Sequence, residues 1–65
     1  MNVSLDQAIE IHAKVLRYRV GERAAEIAGE RARLCENHGD PEGSQIWLRV
    51  KAVIIVLESG EDTLH

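Results

Sequence analysis

The stretch Asn37-His38-Gly39-Asp40-Pro41-Glu42 constrains this chain more than any other. Gly39 is placed to close one helix, in the left-handed conformation that a residue without Cβ adopts freely. Asp40 is an N-cap residue type, whose carboxylate can accept from the open N–H groups of a new helix. Pro41 suits the first helical position, where its missing N–H costs nothing. Glu42 falls in the first turn, where negative charge meets the positive end of the helix dipole. The turn formed by Gly39, Asp40 and Pro41 is short, so the helices on either side of it should be antiparallel neighbours.

Apolar spacing extends the helical reading to nearly the whole chain. Ser4 with Gln7 makes a capping box, and Val3 before it could staple onto Ala8. Leu5, Ala8, Ile9, His12, Ala13 and Leu16 then follow the i, i+3, i+4 pattern of one helix face. Glu10 and Lys14 stand in the favourable i, i+4 order. At about 100° per residue, the apolar stripe after Gly21 lies roughly a quarter turn from the stripe before it. A break or kink at residues 19–22 follows. The next stretch is rich in small residues, with Ala24, Ala28 and Ala32 at every fourth position and Ala25 and Gly29 beside them. Small residues let two helix backbones approach closely, and the propensity that Gly29 forfeits makes sense if a neighbour lies against its bare backbone.

After the turn, Ile46, Val50, Val53 and Leu57 form one line, with Trp47 and Ile54 on its flank. Leu48, Ala52, Ile55 and Val56 lie away from that line, so residues 52–57 are apolar on every side. A helix apolar all round is expected to be buried all round. The expected fold is all-α, with three short helices at about 4–20, 22–38 and 41–58, a tight hairpin between the second and third, and pairing into a dimeric bundle. The alternative is a two-helix hairpin whose first helix is long and kinked. Residues 1–58 form the single domain in this reading, and 59–65 a polar tail.

Composition narrows the function classes. The 65 residues are 45% apolar and 29% charged, an ordinary globular balance and too apolar for a disordered tail. The net charge of −3, with acidic and basic residues interleaved, argues against a nucleic-acid protein, which usually carries a basic face. No apolar run approaches the ~18 residues of a membrane helix, and no basic start leads into an apolar segment of the signal-peptide kind. The single cysteine excludes an internal disulfide framework and suits a reducing, cytoplasmic setting. A chain this short buries only about 60% of its unfolded surface, so its aliphatic core gains from a partner.

Few residues invite chemistry. His12 lies within the first apolar stripe and reads as a core or interface histidine, because no nucleophile or carboxylate is placed beside it by spacing. Cys35 and His38 supply two of the four ligands zinc needs and read as a packed thiol and a helix-end histidine. Trp47 is expected to pack on the small residues of the second helix, or to anchor a partner protein. Arg49 is expected to pair with Glu42 or Glu36. A helix-turn-helix reading would need Ser44, Gln45, Arg49 and Lys51 to face DNA. No phosphate loop, dinucleotide fingerprint, metalloprotease motif or nucleophile elbow is present, and no cofactor or metal is implied.

Gly39-Asp40-Pro41-Glu42-Gly43 followed by Trp47-Leu48-Arg49, after an alanine-rich stretch with Glu22-Arg23-Ala24 and Glu30-Arg31-Ala32, resembles a pattern in small uncharacterised alphaproteobacterial proteins. Those carry a Gly-Asp-x-Glu-Gly turn and then Trp-x-Arg. The resemblance spans about residues 8–57 and implies a bacterial, cytoplasmic, all-helical protein with no assigned activity. The functional expectation is a non-enzymatic protein–protein interaction or regulatory module. It would act as a homodimer, or docked on a partner, through Leu48, Ile55, Val56 and Trp47. The alternative is a DNA-linked regulator of helix-turn-helix or antitoxin-like kind.

Overall fold

A computed structural model describes residues 4–63, with side chains described for 4–59. The expected staple of Val3 on Ala8 and the last two residues of the expected tail lie outside the described residues. The described chain is helical throughout, apart from Ser4 and residues 38–40, and contains no strand.

Helix α1 spans Leu5–Val20. Its start is the expected capping box: the Gln7 N–H donates to the Ser4 hydroxyl at 3.1 Å, and the Ser4 N–H donates to Oε1 of Gln7 at 3.2 Å. Glu10 and Lys14 form the expected exposed pair at 3.6 Å. At the far end Gly21 adopts φ 64° and ψ −130°, while its N–H still donates to the Arg17 carbonyl. Residues Gly21–Arg23 tighten into one 3₁₀ turn, and α2 follows at Ala24–Asn37.

The expected division into three separate helices is therefore corrected. No non-helical residue separates α1 from α2, so the helical residues form two runs, Leu5–Asn37 and Pro41–Thr63. The kinked first helix of the alternative reading describes this connectivity. The reason is chemical: no Ser, Thr or Asp follows Gly21 to cap a fresh start, and α2 begins without a side-chain cap. The chain keeps its helical hydrogen bonding as a 3₁₀ turn instead.

Helix α3 spans Pro41–Thr63, five residues beyond the expected end near 58. Nothing in Ser59-Gly60-Glu61-Asp62-Thr63 compels a stop, since proline is absent.

The turn between α2 and α3 is a Schellman motif fused to an N-cap. Gly39 has φ 75°, its N–H donates to the Glu36 carbonyl at 3.1 Å, and the Asp40 N–H donates to the Cys35 carbonyl at 2.8 Å. Asp40 then caps α3, its Oδ1 accepting from the Gly43 N–H at 2.9 Å. Gly39→Val should cost about 1–2 kcal/mol, because a β-branched residue resists positive φ. Asp40→Ala should cost about 1 kcal/mol through the lost cap. Urea melts of the two variants check both values, and parent-like midpoints in both would refute the capped turn.

Contacts fix the directions. Arg49 hydrogen-bonds and ion-pairs with Asp6, and Arg17 pairs with Glu58 at 3.7 Å, so α1 runs alongside α3 in the same sense. A Cβ on Gly43 would lie 3.1 Å from Sγ of Cys35, and one on Gly29 would lie 3.4 Å from Nζ of Lys51, so α2 runs opposite to α3. The kink at Gly21 is thus a reversal. In a straight helix Ile9 and Ala28 would stand about 28 Å apart, yet both belong to one core with Val50 and Ile54.

Ala24, Ala28 and Ala32 are all buried, as the small-residue stripe requires of a seam with α3. Ile9 and Ala13 close the core from the α1 side, with Leu16, Val20, Trp47 and Val53 packed around it. The neighbour against Gly29 is the flexible Lys51 side chain, in ordinary contact range. Gly29→Ala should therefore stabilise by up to about 1 kcal/mol through helix propensity, seen as a raised melting temperature. A lowered one would mean that the Lys51 stem cannot move aside.

Candidate functional site

The residues expected to face a partner come out on the surface. Leu48 is 50% exposed, Ile55 47% and Val56 67%. Leu48, Ala52 and Ile55 recur at i, i+4 and i+7, one stripe on the side of α3 turned from the core, with Val56 one helical step round from Ile55. The expected all-round burial of residues 52–57 relies on pairing, and the single chain leaves part of their surface open. Ile54 is fully buried and Val53 and Leu57 half-buried, but α1 and α2 cover only their own sides of α3. On α1, Ile11 and Tyr18 likewise point outward, Tyr18 almost fully exposed.

A second apolar surface is a shallow groove where α1 crosses the first half of α3. Leu5, Ala8 and His12 form one wall, Ile46 the other, and Trp47 and Val50 lie beneath. His12 is exposed rather than buried in the stripe, and its ring meets Trp47 edge-on, with centroids 5.1 Å apart at 76°. Trp47 is half-buried against the core to which Ala24 and Ala28 of α2 belong, and it also lines a second hollow together with Leu34, Cys35 and His38. The groove escaped the sequence reading, because it forms between Leu5 and Ile46, whose 41-residue separation no local pattern spans.

The polar candidates are engaged in the fold. Arg49 pairs with Asp6 rather than with Glu42 or Glu36. Ser44 is buried, and Lys51 lies against Gly29. Nδ1–H of His38 donates to the Leu34 carbonyl at 2.7 Å, helping to satisfy the open carbonyls at the end of α2. Cys35 is a half-buried free thiol. Among the described residues no group of three or more His, Cys, Asp or Glu side chains is arranged to hold a metal ion, and no helix is long and apolar enough to cross a membrane. What this arrangement offers chemically is aliphatic surface with aromatic edges.

Comparisons with protein-family models, with curated proteins and with solved structures find no match to this chain.

Proposed function

We propose that this chain is a small non-enzymatic interaction module that works by burying the Leu48–Ile55–Val56 face of α3, as a homodimer or on a partner protein. The observation that carries this reading is the exposure of that face: three large aliphatic side chains, each about half exposed or more, on one helix of a 65-residue chain. Two-fold pairing is the commonest way for such a face to leave water. A bacterial, cytoplasmic setting is the one the sequence resemblance implies. The burial of Ser44 and the pairing of Arg49 with Asp6 favour this reading over a DNA-linked regulator, which would need those two side chains along with Gln45 and Lys51 for phosphate and base contacts.

Light scattering at micromolar concentration tests the proposal. The parent chain should show the mass of a dimer, and Ile55→Glu should weaken the association at least about tenfold, because a carboxylate pressed against an aliphatic partner is costly to desolvate. A monomeric parent that gains no mass in the presence of its host's proteins, and that Ile55→Glu leaves unchanged, would overturn it.

A further inference from the structure

We propose that Gly21 is a hinge, and that its straightening lets two copies of this chain exchange their α1 helices. In the folded-back arrangement Gly21 sits at φ 64°, a conformation glycine alone adopts without strain. The surrounding hydrogen bonds are already helical: the Gly21 N–H donates to Arg17, and the Ala24 N–H donates to Gly21. Rotating Gly21 into the ordinary helical region, with smaller adjustments at Val20 and Arg23, whose ψ angles are −3° and −1°, would join α1 and α2 into a single helix over Leu5–Asn37.

The junction carries no side-chain cap: neither the 3₁₀ turn nor α2 has the support that Ser4 gives α1 and Asp40 gives α3, and the turn closes only through the backbone bond from the Ala24 N–H to the Gly21 carbonyl. Two larger apolar side chains of α2 align with α1 as well, although its alanine stripe lies a quarter turn away. Ile27 and Leu34 fall on the line of Ile9, Ala13, Leu16 and Val20 at alternating steps of three and four, with Arg23 and Glu30 at the intervening positions. Leu34 is half exposed in the folded-back chain, although it lies on what would be that helix's apolar line.

The occupant of the vacated site is a second copy. Lifting α1 uncovers Val50 and Ile54 on α3, and the helix that fits them, with Ile9 and Ala13 in the core and Asp6 poised for Arg49, is the α1 of another identical chain. Because α1 packs mainly on α3, exchange remakes its contacts between chains, a low-cost route to a dimer. This pairing uses the hinge and the core, so it is independent of the Leu48–Ile55 face.

Spin labels at Gln7→Cys and Arg33→Cys, in a Cys35→Ser background that also carries Ile55→Glu, report the hinge directly. Doubly labelled chains are diluted into unlabelled ones. In a straight helix the two positions stand about 39 Å apart; folded back, both flank the same half of α3 and lie much closer. Gly21→Ala disfavours the positive φ and should give a doubled mass with the long distance dominant. The parent glycine chain should show a minor long-distance population that grows with protein concentration. A folded Gly21→Ala chain that stays monomeric, or that doubles in mass at the short distance, would overturn the exchange. So would a parent chain without the long distance at every concentration, a result that decides the matter even if Gly21→Ala does not fold.

Discussion

Ile54→Ala should abolish the cooperative thermal transition of this chain at neutral pH. Ile54 is fully buried between the two arms of the first helical run, in a core whose other large wholly buried side chain is Val50. Truncating a buried isoleucine to alanine costs about 2–5 kcal/mol, the lost transfer energy plus the cavity left behind. A single core in a chain this short supplies only about 3–5 kcal/mol, so one substitution consumes most of it. Circular dichroism melts should show a broad, low-temperature loss of helix in place of a transition. Ile55→Ala, one residue on and half exposed, should cost about 1 kcal/mol or less in the monomer. Equal losses at both positions would mean that the core side of α3 has been misassigned.

The seam between α2 and α3 should be nearly as sensitive to added volume. Ala28 is completely buried and touches the same core as Val50 and Ile54. Leucine there has to displace α3 or take a strained rotamer, at about 1–3 kcal/mol. Ala52→Leu makes the same chemical change on the exposed side of α3 and should leave stability within about 0.5 kcal/mol. Paired denaturant titrations would separate the two. A tolerated Ala28→Leu would mean that the alanine stripe does not set the helix spacing.

The α2–α3 turn was readable in the sequence because each of its parts obeys a local rule. Gly39 closes a helix and Asp40 opens one whatever the rest of the chain does, and both do so here. The alanine stripe was readable for a similar reason, since a period of four on a helix needs a close neighbour on one side. The junction at Gly21 was half readable. The quarter-turn offset between stripes pointed to a kink, but whether the helical bonding stops there depends on the absence of a cap, and the chain continued as a 3₁₀ turn. The partner of Arg49 was not readable, because Asp6 lies 43 positions away and only the reversal at Gly21 brings it close. The surface of α3 was read as apolar and as needing cover from outside the chain, and in the single chain Leu48, Ile55 and Val56 stand exposed. Periodicity shows which residues are apolar, while the number of neighbouring helices decides which of them one chain can cover.

The two packings of α3 differ in how far along the chain they reach. The α2 side joins residues such as Cys35 and Gly43, eight positions apart across a tight turn. The α1 side joins Asp6 to Arg49, 43 positions apart. Closing the longer loop costs about 1.5 kcal/mol more in chain entropy, taking three-halves RT times the logarithm of the ratio. It must also be closed by the arm that adds the smaller share of buried side chains, Ile9 and Ala13. The hairpin of α2 and α3 is therefore the natural first unit to assemble, and α1 docks late and leaves early. Amides of α1 then exchange with solvent through openings that leave the hairpin intact. The stability of the chain is layered along its length, loosest at the end where the amino-terminal arm meets Trp47.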